Sequence, residues 1–600
     1  MRKNQCSTLF DRVTSTTSDQ STHATNDASH RIDTRLFRRI ARLTIPFWRR
    51  PQSWPAWIGL AVLLSQGVLL SYLVVRAAAL LKDTTNALLG QDWAAFEAGL
   101  TAYLIVYAVK MLVPQARFIV DAFVEAAWCR WLSRHVIDQY LARRAYYHIG
   151  LQGDLDNPDQ RIAESVKPFV DQMIQILQWI VGVCARLGGA VTVFVTIDPR
   201  FLLIVPALGV LQIATTSLTI PPIVRRQLAV QMAEGDLRRD LVHVRDHAEA
   251  IAFYGGEARE RGTVMERARA AADRQFRLDR FQALLSLSLH AALAFAWMAL
   301  PYLVLGERVA SGETTYGDLA QATAITLMMR GVIETLSLIV SSFGELAVRV
   351  ARLAPLQERF DAMAREEART DIPRITLRRG GGRVEIEALS LETPDGARRL
   401  VQALTLSIGP GESLVIVGET GVGKSSLLRA MAGLWTRGTG RISMPPARET
   451  LFLPQQPYFT GGDLRAQLLY PHGASMSDAA LLDILDAVRL PNLAASLGGL
   501  SAVRDWSQIL SGGEQQRLAF ARALIAEPGV VFLDEATSAL DAETEEQLYA
   551  RLAGSGASYV SVGHRLGIVA HHTHILTLAR EGRWTLAPVT TRAAAQVVAS

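Results

Sequence analysis

Residues 413–435 read SLVIVGETGVGKSSLLRAMAGLW, and the order of the parts decides the fold of the last third of the chain. SLVIV is a charge-free run of β-formers suited to a buried strand, and SSLLRAMAGLW has the apolar spacing of a helix. Between them a turn carries three glycines, Gly418, Gly421 and Gly423. Such a turn lets successive amides and a helix N-terminus converge on one anion, the construction of a phosphate-binding loop. Lys424 adds a positive charge and the Ser425 hydroxyl is placed to ligate Mg²⁺, with Glu419, Thr420, Val422 and Ser426 completing the phosphate-contacting stretch. The lysine is informative. The chain has five (Lys3, Lys82, Lys110, Lys167 and Lys424) among 62 basic side chains, so arginine is its usual cation. A compact ammonium fits between phosphate oxygens where a planar guanidinium does not.

About 110 residues further on, VVFLDEATSALD (530–541) gives an apolar strand ending in two acids. Asp534 is expected to hold Mg²⁺ through water and Glu535 to polarise an attacking water as general base. Just upstream, LSGGEQQR (510–517) puts Ser511, Gly512, Gly513 and Glu514 at a helix start, a second anion-facing N-terminus in the same domain.

This set resembles the signature sequences of ATP-binding cassette (ABC) ATPases. The resemblance implies ATP and Mg²⁺ as cofactors. It makes Gln455 of LPQQPYF the glutamine that senses Mg²⁺ and contacts the membrane domain, Asp541 of SALD a residue beside the nucleotide, and His564 of SVGHR the histidine reaching the γ-phosphate. Glu535, His564 and Gln455 then form the catalytic set, and Ser425, Gln455 and Asp534 the metal ligands. In that family two such domains close head to tail, the glycine loop of one and the LSGGE of the other enclosing each ATP. One ATPase domain per chain implies half a transporter, which pairs most simply with a second copy of itself.

The rest of the chain is half hydrophobic with a formal net charge of only +5, its basic and acidic residues interspersed, which gives no nucleic-acid footprint. Three cysteines (Cys6, Cys129 and Cys184) have no metal-ligand spacing and suggest no disulfide framework. Apolar stretches of bilayer length fall at about 54–76, 94–116, 170–196, 200–222, 281–305 and 319–345. RLFRRIARLTIPFWRR (35–50) reads as a basic interfacial helix on the inner surface. The connections at about 117–169 and 223–280 are long and arginine-rich, so they and both termini are expected to be cytoplasmic, in the inner (plasma) membrane.

The expected architecture is therefore a multi-domain membrane protein, a six-helix all-α transmembrane domain of exporter-like fold fused to an α/β ABC ATPase domain. Its parts are a disordered tail over 1–34, the transmembrane domain over 35–356, a linker over 357–382 running into RRGGGR (378–383), and the ATP-binding domain over 383–600. Two stretches interrupt the long loops. In LDNPDQRI (155–162), Asn157 and Pro158 are expected to turn the chain and Asp159 to cap the next helix. In AEAIAFYGGEARE (248–260), Gly255 and Gly256 allow a sharp bend.

One departure narrows the family. ABC exporters generally stack an aromatic residue on adenine in a YP-like context, and here the stretch is SLETPDG, with Thr393 before Pro394. TPDG, PQQPYFTGGDLRAQLLYP, RDWSQILSGGE and EAIAFYGGE together resemble the subfamily D branch, over about residues 35–590. That branch holds peroxisomal acyl-CoA and lysosomal cobalamin half-transporters and bacterial relatives that take up cobalamin, bleomycin-like glycopeptides and antimicrobial peptides. The resemblance makes Glu249 and NPDQRI coupling elements. His290, Arg330 and Glu334 fall near mid-membrane, with Arg330 and Glu334 one helical turn apart. Read as an ion pair they pack helices; read as cavity lining they favour a hydrophilic cargo. The expectation is ATP-driven uptake of such a cargo; the alternatives are acyl-CoA, lipid-like or multidrug substrates, and a non-transporting, ATP-regulated membrane receptor.

Overall fold

The computed structural model describes residues 34–153, 155–369, 373–393, 396–471, 475–563 and 566–589. Residues 1–33 of the expected tail and the expected site residue His564 lie outside them, and Thr34, expected in the tail, begins a helix. The chain divides into two compact units, meeting at Glu366 and Glu367.

The first unit opens with the helix Thr34–Trp48, which buries Leu36, Ile40, Leu43 and Phe47 in one stripe. Arg35, Arg38 and Arg42 point outward. Six helices long and apolar enough to cross a membrane follow, over Pro51–Leu89, Trp93–Leu151, Pro158–Ile197, Phe201–Asp246, Glu257–Ala310 and Tyr316–Ala368. The shortest has 39 residues. That is roughly 58 Å at 1.5 Å per residue, about twice the hydrocarbon thickness, so the helices run far past the bilayer as the long arginine-rich connections require. In the most apolar window of Trp93–Leu151 no residue is buried within the chain. So apolar a surface is stable against lipid or a second chain, not against water.

Two local expectations are corrected. The helix after Asn157 begins at Pro158, so Asp159 lies in its first turn and is not the cap. Proline suits that position because the first helical amide has no intrahelical acceptor, and Asp159 still meets the positive end of the helix dipole. The last membrane helix continues to Ala368, so the first part of the expected linker is helical. Leu353, Ala354, Leu356 and Phe360 remain buried at helical spacing, and that burial carries the helix through Pro355, which removes one backbone donor from it. The bend at Gly255 is as expected: a short helix ends at Tyr254, Gly255 has φ 61°, and a new helix starts at Glu257.

The second unit has ten strands, β1 (Thr376–Arg379), β2 (Val384–Glu392), β3 (Arg399–Ile408), β4 (Ser413–Gly418), β5 (Gly438–Met444), β6 (Thr450–Leu453), β7 (Val530–Asp534), β8 (Ser558–Val562), β9 (His574–Leu578) and β10 (Trp584–Pro588). They form a four-stranded sheet in the order β1-β5-β2-β3 and a six-stranded sheet in the order β10-β9-β4-β8-β7-β6. In the larger sheet every pairing is parallel except β10 on β9. Arg378 and Arg379 of RRGGGR belong to β1, so the glycine run is the turn into β2.

Alternation along β4 shows how the layers are assembled. Leu414 and Ile416 pack with Leu427, Leu428 and Met431 of the helix Lys424–Met431 and with the smaller sheet. Val415 and Val417 pack with Leu518, Phe520 and Ala521 of the helix Gly512–Ala526. A strand points successive side chains to opposite faces, so these two helices lie on opposite faces of the six-stranded sheet.

Candidate functional site

The parallel register lines up the strand ends that carry the chemistry. Ile416 of β4 pairs with Val562 of β8, which pairs with Asp534 of β7. On the other side of β7, Leu533 pairs with Leu453 of β6. Two residues beyond that last pair stand Gln455 and Glu535, and the amide of Gln455 donates to the Glu535 carboxylate at 2.9 Å. Glu535 has φ 50°, a left-handed conformation uncommon outside glycine, and its own amide donates to Val562 at 3.1 Å. The strained turn fixes the direction of this carboxylate at the sheet edge.

The glycine loop leaves β4 at Gly418, whose φ is 146° and where a Cβ would meet the Leu578 carbonyl oxygen at 2.3 Å. A Cβ at Gly423, φ 114°, would press on Leu400 at 3.1 Å. Both positions thus exclude side chains by conformation and by space. Lys424 Nζ folds back onto the loop, donating to the carbonyls of Gly418 at 2.7 Å and Glu419 at 3.0 Å. Ser425 Oγ donates to Asp534 Oδ1 at 3.2 Å, joining the loop helix to the end of β7. Burial raises the Asp534 carboxyl above its ordinary range, with the Ser425 hydroxyl pulling it back. Hard oxygen donors brought together beside a phosphate loop suit Mg²⁺, which keeps most of its waters and takes few protein ligands. Glu419 Oε2 accepts from Arg580 at 2.9 Å, Thr420 is exposed, Val422 is buried in the core and Ser426 is half-buried in the first helical turn.

Ser511 caps the helix Gly512–Ala526 reciprocally with Glu514: its amide and hydroxyl donate to Glu514 Oε2 at 2.9 and 2.7 Å, and the Glu514 amide donates back at 3.4 Å. The Ser511 donors hold the Glu514 carboxyl below its ordinary range. Gly512 and Gly513 form the first turn. Asp541 is also a helix cap, accepting from the Thr544 amide at 2.8 Å. The structure therefore brings Lys424, Ser425, Asp534, Glu535 and Gln455 to one edge of the sheet. It sets the Ser511 turn on a helix across that sheet.

Sequence reasoning missed the residues that tie these parts together. Arg522, 6% exposed, donates to the carbonyls of Gln467 and Tyr458 at 2.8 Å each, holding the segment after Gln455 to the Ser511 helix. Gln516 on that helix binds the Ser538 hydroxyl at 3.0 Å and accepts from the Ala539 amide at 2.8 Å, holding the turn before Asp541. A single charge inside the apolar run AFARALIA was the available signal for Arg522. Where an aromatic residue is missing, the amide and hydroxyl of Thr393 donate to the Arg398 carbonyl at 2.8 and 3.3 Å, and the Arg398 guanidinium donates to the Gly421 carbonyl at 3.1 Å. Pro394 lies outside the described residues.

Comparison with known proteins bears on this geometry directly. The family model for ABC transporter transmembrane region 2 matches residues 40–310, and the ABC transporter model matches 401–538, which takes in the glycine loop, Gln455, the Ser511 turn and Glu535. The chain belongs to the ABC transporter family. An uncharacterised ABC transporter ATP-binding protein of Synechocystis is 34% identical over 546 residues, covering 90% of this chain and 82% of the relative. The human lysosomal cobalamin transporter ABCD4 is 31% identical, covering 77% and 81%, and the chloroplastic ABC transporter D family member 2 of Arabidopsis thaliana is 28% identical, covering 91% and 86%. A bacterial Atm1-family ABC exporter solved with ATP bound shares the fold, with a TM-score of 0.65 at 20% identity over 91% of this chain and 98% of that one. This ABC half-transporter couples ATP hydrolysis to transport through a multi-pass membrane region.

Proposed function

We propose that two copies of this half-transporter form a homodimer of the inner membrane that takes up a hydrophilic compound, a corrinoid or a peptide-like molecule, with both termini in the cytoplasm. The observation that carries the dimer is the placement of the two anion-facing helix starts on opposite faces of one sheet. A second chain then supplies the Ser511, Gly512 and Gly513 turn to close over the Lys424 loop. In the closed site Lys424 leaves its loop carbonyls for the phosphates, with the amides of Gly418 to Ser426 lining the same anion, and Asp541 borders the nucleotide. Glu535 accepts a proton from the attacking water, oriented by Gln455, and His564 meets the γ-phosphate. Ser425, Asp534 and Gln455 would hold Mg²⁺, which supplies charge neutralisation when bound.

The membrane helices support the cargo class. Arg330 and Glu334 pair at 2.9 Å along one helix, with side chains 37% and 50% exposed. A pair that locks helices of one chain together would be buried between them, and within this chain the pair is exposed and, among the described residues, makes no bond across helices. His290 lies in a five-residue π-helical turn, Ser286–His290. Ionisable groups at this depth favour a wet passage. The named activity of the human cobalamin transporter is in keeping with it.

The test is ATP hydrolysis by the full protein in proteoliposomes, with cobalamin, peptides and acyl-CoAs offered in turn and Glu535→Gln as the inactive control. Stimulation by cobalamin or peptide supports the reading. Stimulation by acyl-CoA alone overturns it.

A further inference from the structure

Where the amphipathic helix turns into the first membrane helix, a cavity of about 190 Å³ against the helix Trp93–Leu151 is lined by Phe47, Arg50, Ser53, Phe123, Arg130 and Trp131 among others. From this cavity we infer a binding site for the headgroup of an anionic phospholipid, with Arg50 and Arg130 holding the phosphate. The inference concerns the bilayer, not the cargo, and stands whichever compound is transported.

Three observations define the ligand. First, the charge is one-sided. The segment 35–50 carries six arginines and no acid. Arg50 lies over the Trp131 ring at 5.8 Å, Arg130 donates only to the Ala126 carbonyl of its own helix at 3.1 Å, and neither has a carboxylate partner among the described residues. Two guanidinium groups across a small cavity suit the paired oxygens of a phosphodiester. The ammonium of a zwitterionic headgroup would find no anion here, so a net negative lipid is favoured. Second, the walls are aromatic in the manner of a membrane interface. Phe47, Phe123 and Trp131 line it, and behind them Phe47 stacks on Trp128 at 5.6 Å and Trp131 on His135 at 4.9 Å. Rings with one apolar and one polar side settle at headgroup level. Third, the neighbouring surface is exposed and apolar, as acyl chains require: Trp54 is 65%, Ile58 55% and Phe123 48% exposed. The parts that build the cavity are rigid, since Ser53 Oγ donates to the Phe47 carbonyl at 2.6 Å and Trp57 Nε1 to the Trp48 carbonyl at 3.0 Å.

The experiment places the full protein in nanodiscs of phosphatidylcholine with or without phosphatidylglycerol and counts retained lipids by native mass spectrometry. The wild type should retain phosphatidylglycerol over phosphatidylcholine, and Arg50→Gln with Arg130→Gln should lower that preference by about tenfold, as loss of charge-assisted bonds predicts. Arg134→Gln, whose residue pairs with Asp138 at 3.6 Å, should leave it unchanged. Equal retention by the double variant and the wild type overturns the site. So does displacement of the lipid by millimolar inorganic phosphate, which would make the ligand a soluble anion. If the double variant does not fold, a diazirine-bearing phosphatidylglycerol on the wild type still decides: crosslinks on the peptides holding Phe123 and Trp131 support the site, and crosslinks only elsewhere refute it.

Discussion

Replacing Arg522 with methionine keeps a long apolar side chain and removes the guanidinium that joins the Ser511 helix to the segment after Gln455. The bond to the Gln467 carbonyl is buried and the one to Tyr458 partly so. Burial pushes the arginine's pKa down to about 10, so at neutral pH it remains charged and both bonds are charge-assisted. Leaving a buried acceptor unmet costs about 1–3 kcal/mol, and water can serve much of the Tyr458 carbonyl. The guanidinium also lies 5.3 and 5.4 Å from the rings of Phe459 and Tyr470, contacts worth about 1 kcal/mol together. The expected loss is about 2–4 kcal/mol, concentrated on the helix Leu464–Leu469. At about 1.4 kcal/mol per tenfold, amide exchange in that helix should rise roughly 30- to 700-fold, measured by hydrogen-exchange mass spectrometry on the full protein in detergent. Arg489→Met is the comparison, because Arg489 pairs with Glu543 at 2.6 Å with side chains 39% and 72% exposed, a setting worth less than about 1 kcal/mol. Exchange in Leu464–Leu469 that Arg522→Met changes no more than Arg489→Met does would refute the clamp.

The shared site can be tested with mixed dimers. Lys424→Ala on one chain and Ser511→Arg on the other should leave one composite site working, whereas both changes on one chain paired with wild type should spoil both; equal ATPase rates in the two arrangements would contradict head-to-tail closure. Arg398→Ala should weaken ATP and tripolyphosphate binding alike, by about 2- to 10-fold and read by calorimetry, because it frees the phosphate-loop carbonyl of Gly421 from its guanidinium partner; unchanged affinity for both would show that this bond does not hold the loop. His572 is buried against Ser561, and burial pushes its pKa down to about 4. Its folded value lies below the unfolded ~6.5, so the unfolded chain binds more protons between them. The stability it contributes is present above ~6.5 and falls by about 3 kcal/mol as the pH drops toward 4. His572→Gln should flatten that part of the denaturation-midpoint profile.

The spans, the strand–glycine-loop–helix and the two acids after VVFL could be read from the chain because each is local: apolar length, period and turn chemistry are properties of neighbours in sequence. Where the last membrane helix stops was less legible, since its continuation to Ala368 depends on Leu353, Leu356 and Phe360 finding a buried surface. The cap after Asn157 was misplaced by one turn chemistry competing with another, proline at the first helical position against aspartate at the cap.

What the sequence by itself determined is the chemistry available: a lysine and a serine in a glycine loop, two carboxylates, a serine–glycine helix start and a membrane region. Tertiary structure alone decided which of these meet. Parallel register across β6, β7, β8 and β4 brings Gln455 and the Ser425 loop to the same strand ends as Asp534 and Glu535, although about 80 to 110 residues separate them from those two acids in the chain. Side-chain alternation in β4 puts the Ser511 helix on the other face. Hydrogen bonding between strands has no counterpart in local sequence, and that is why the division of the site between two faces emerges only from the fold.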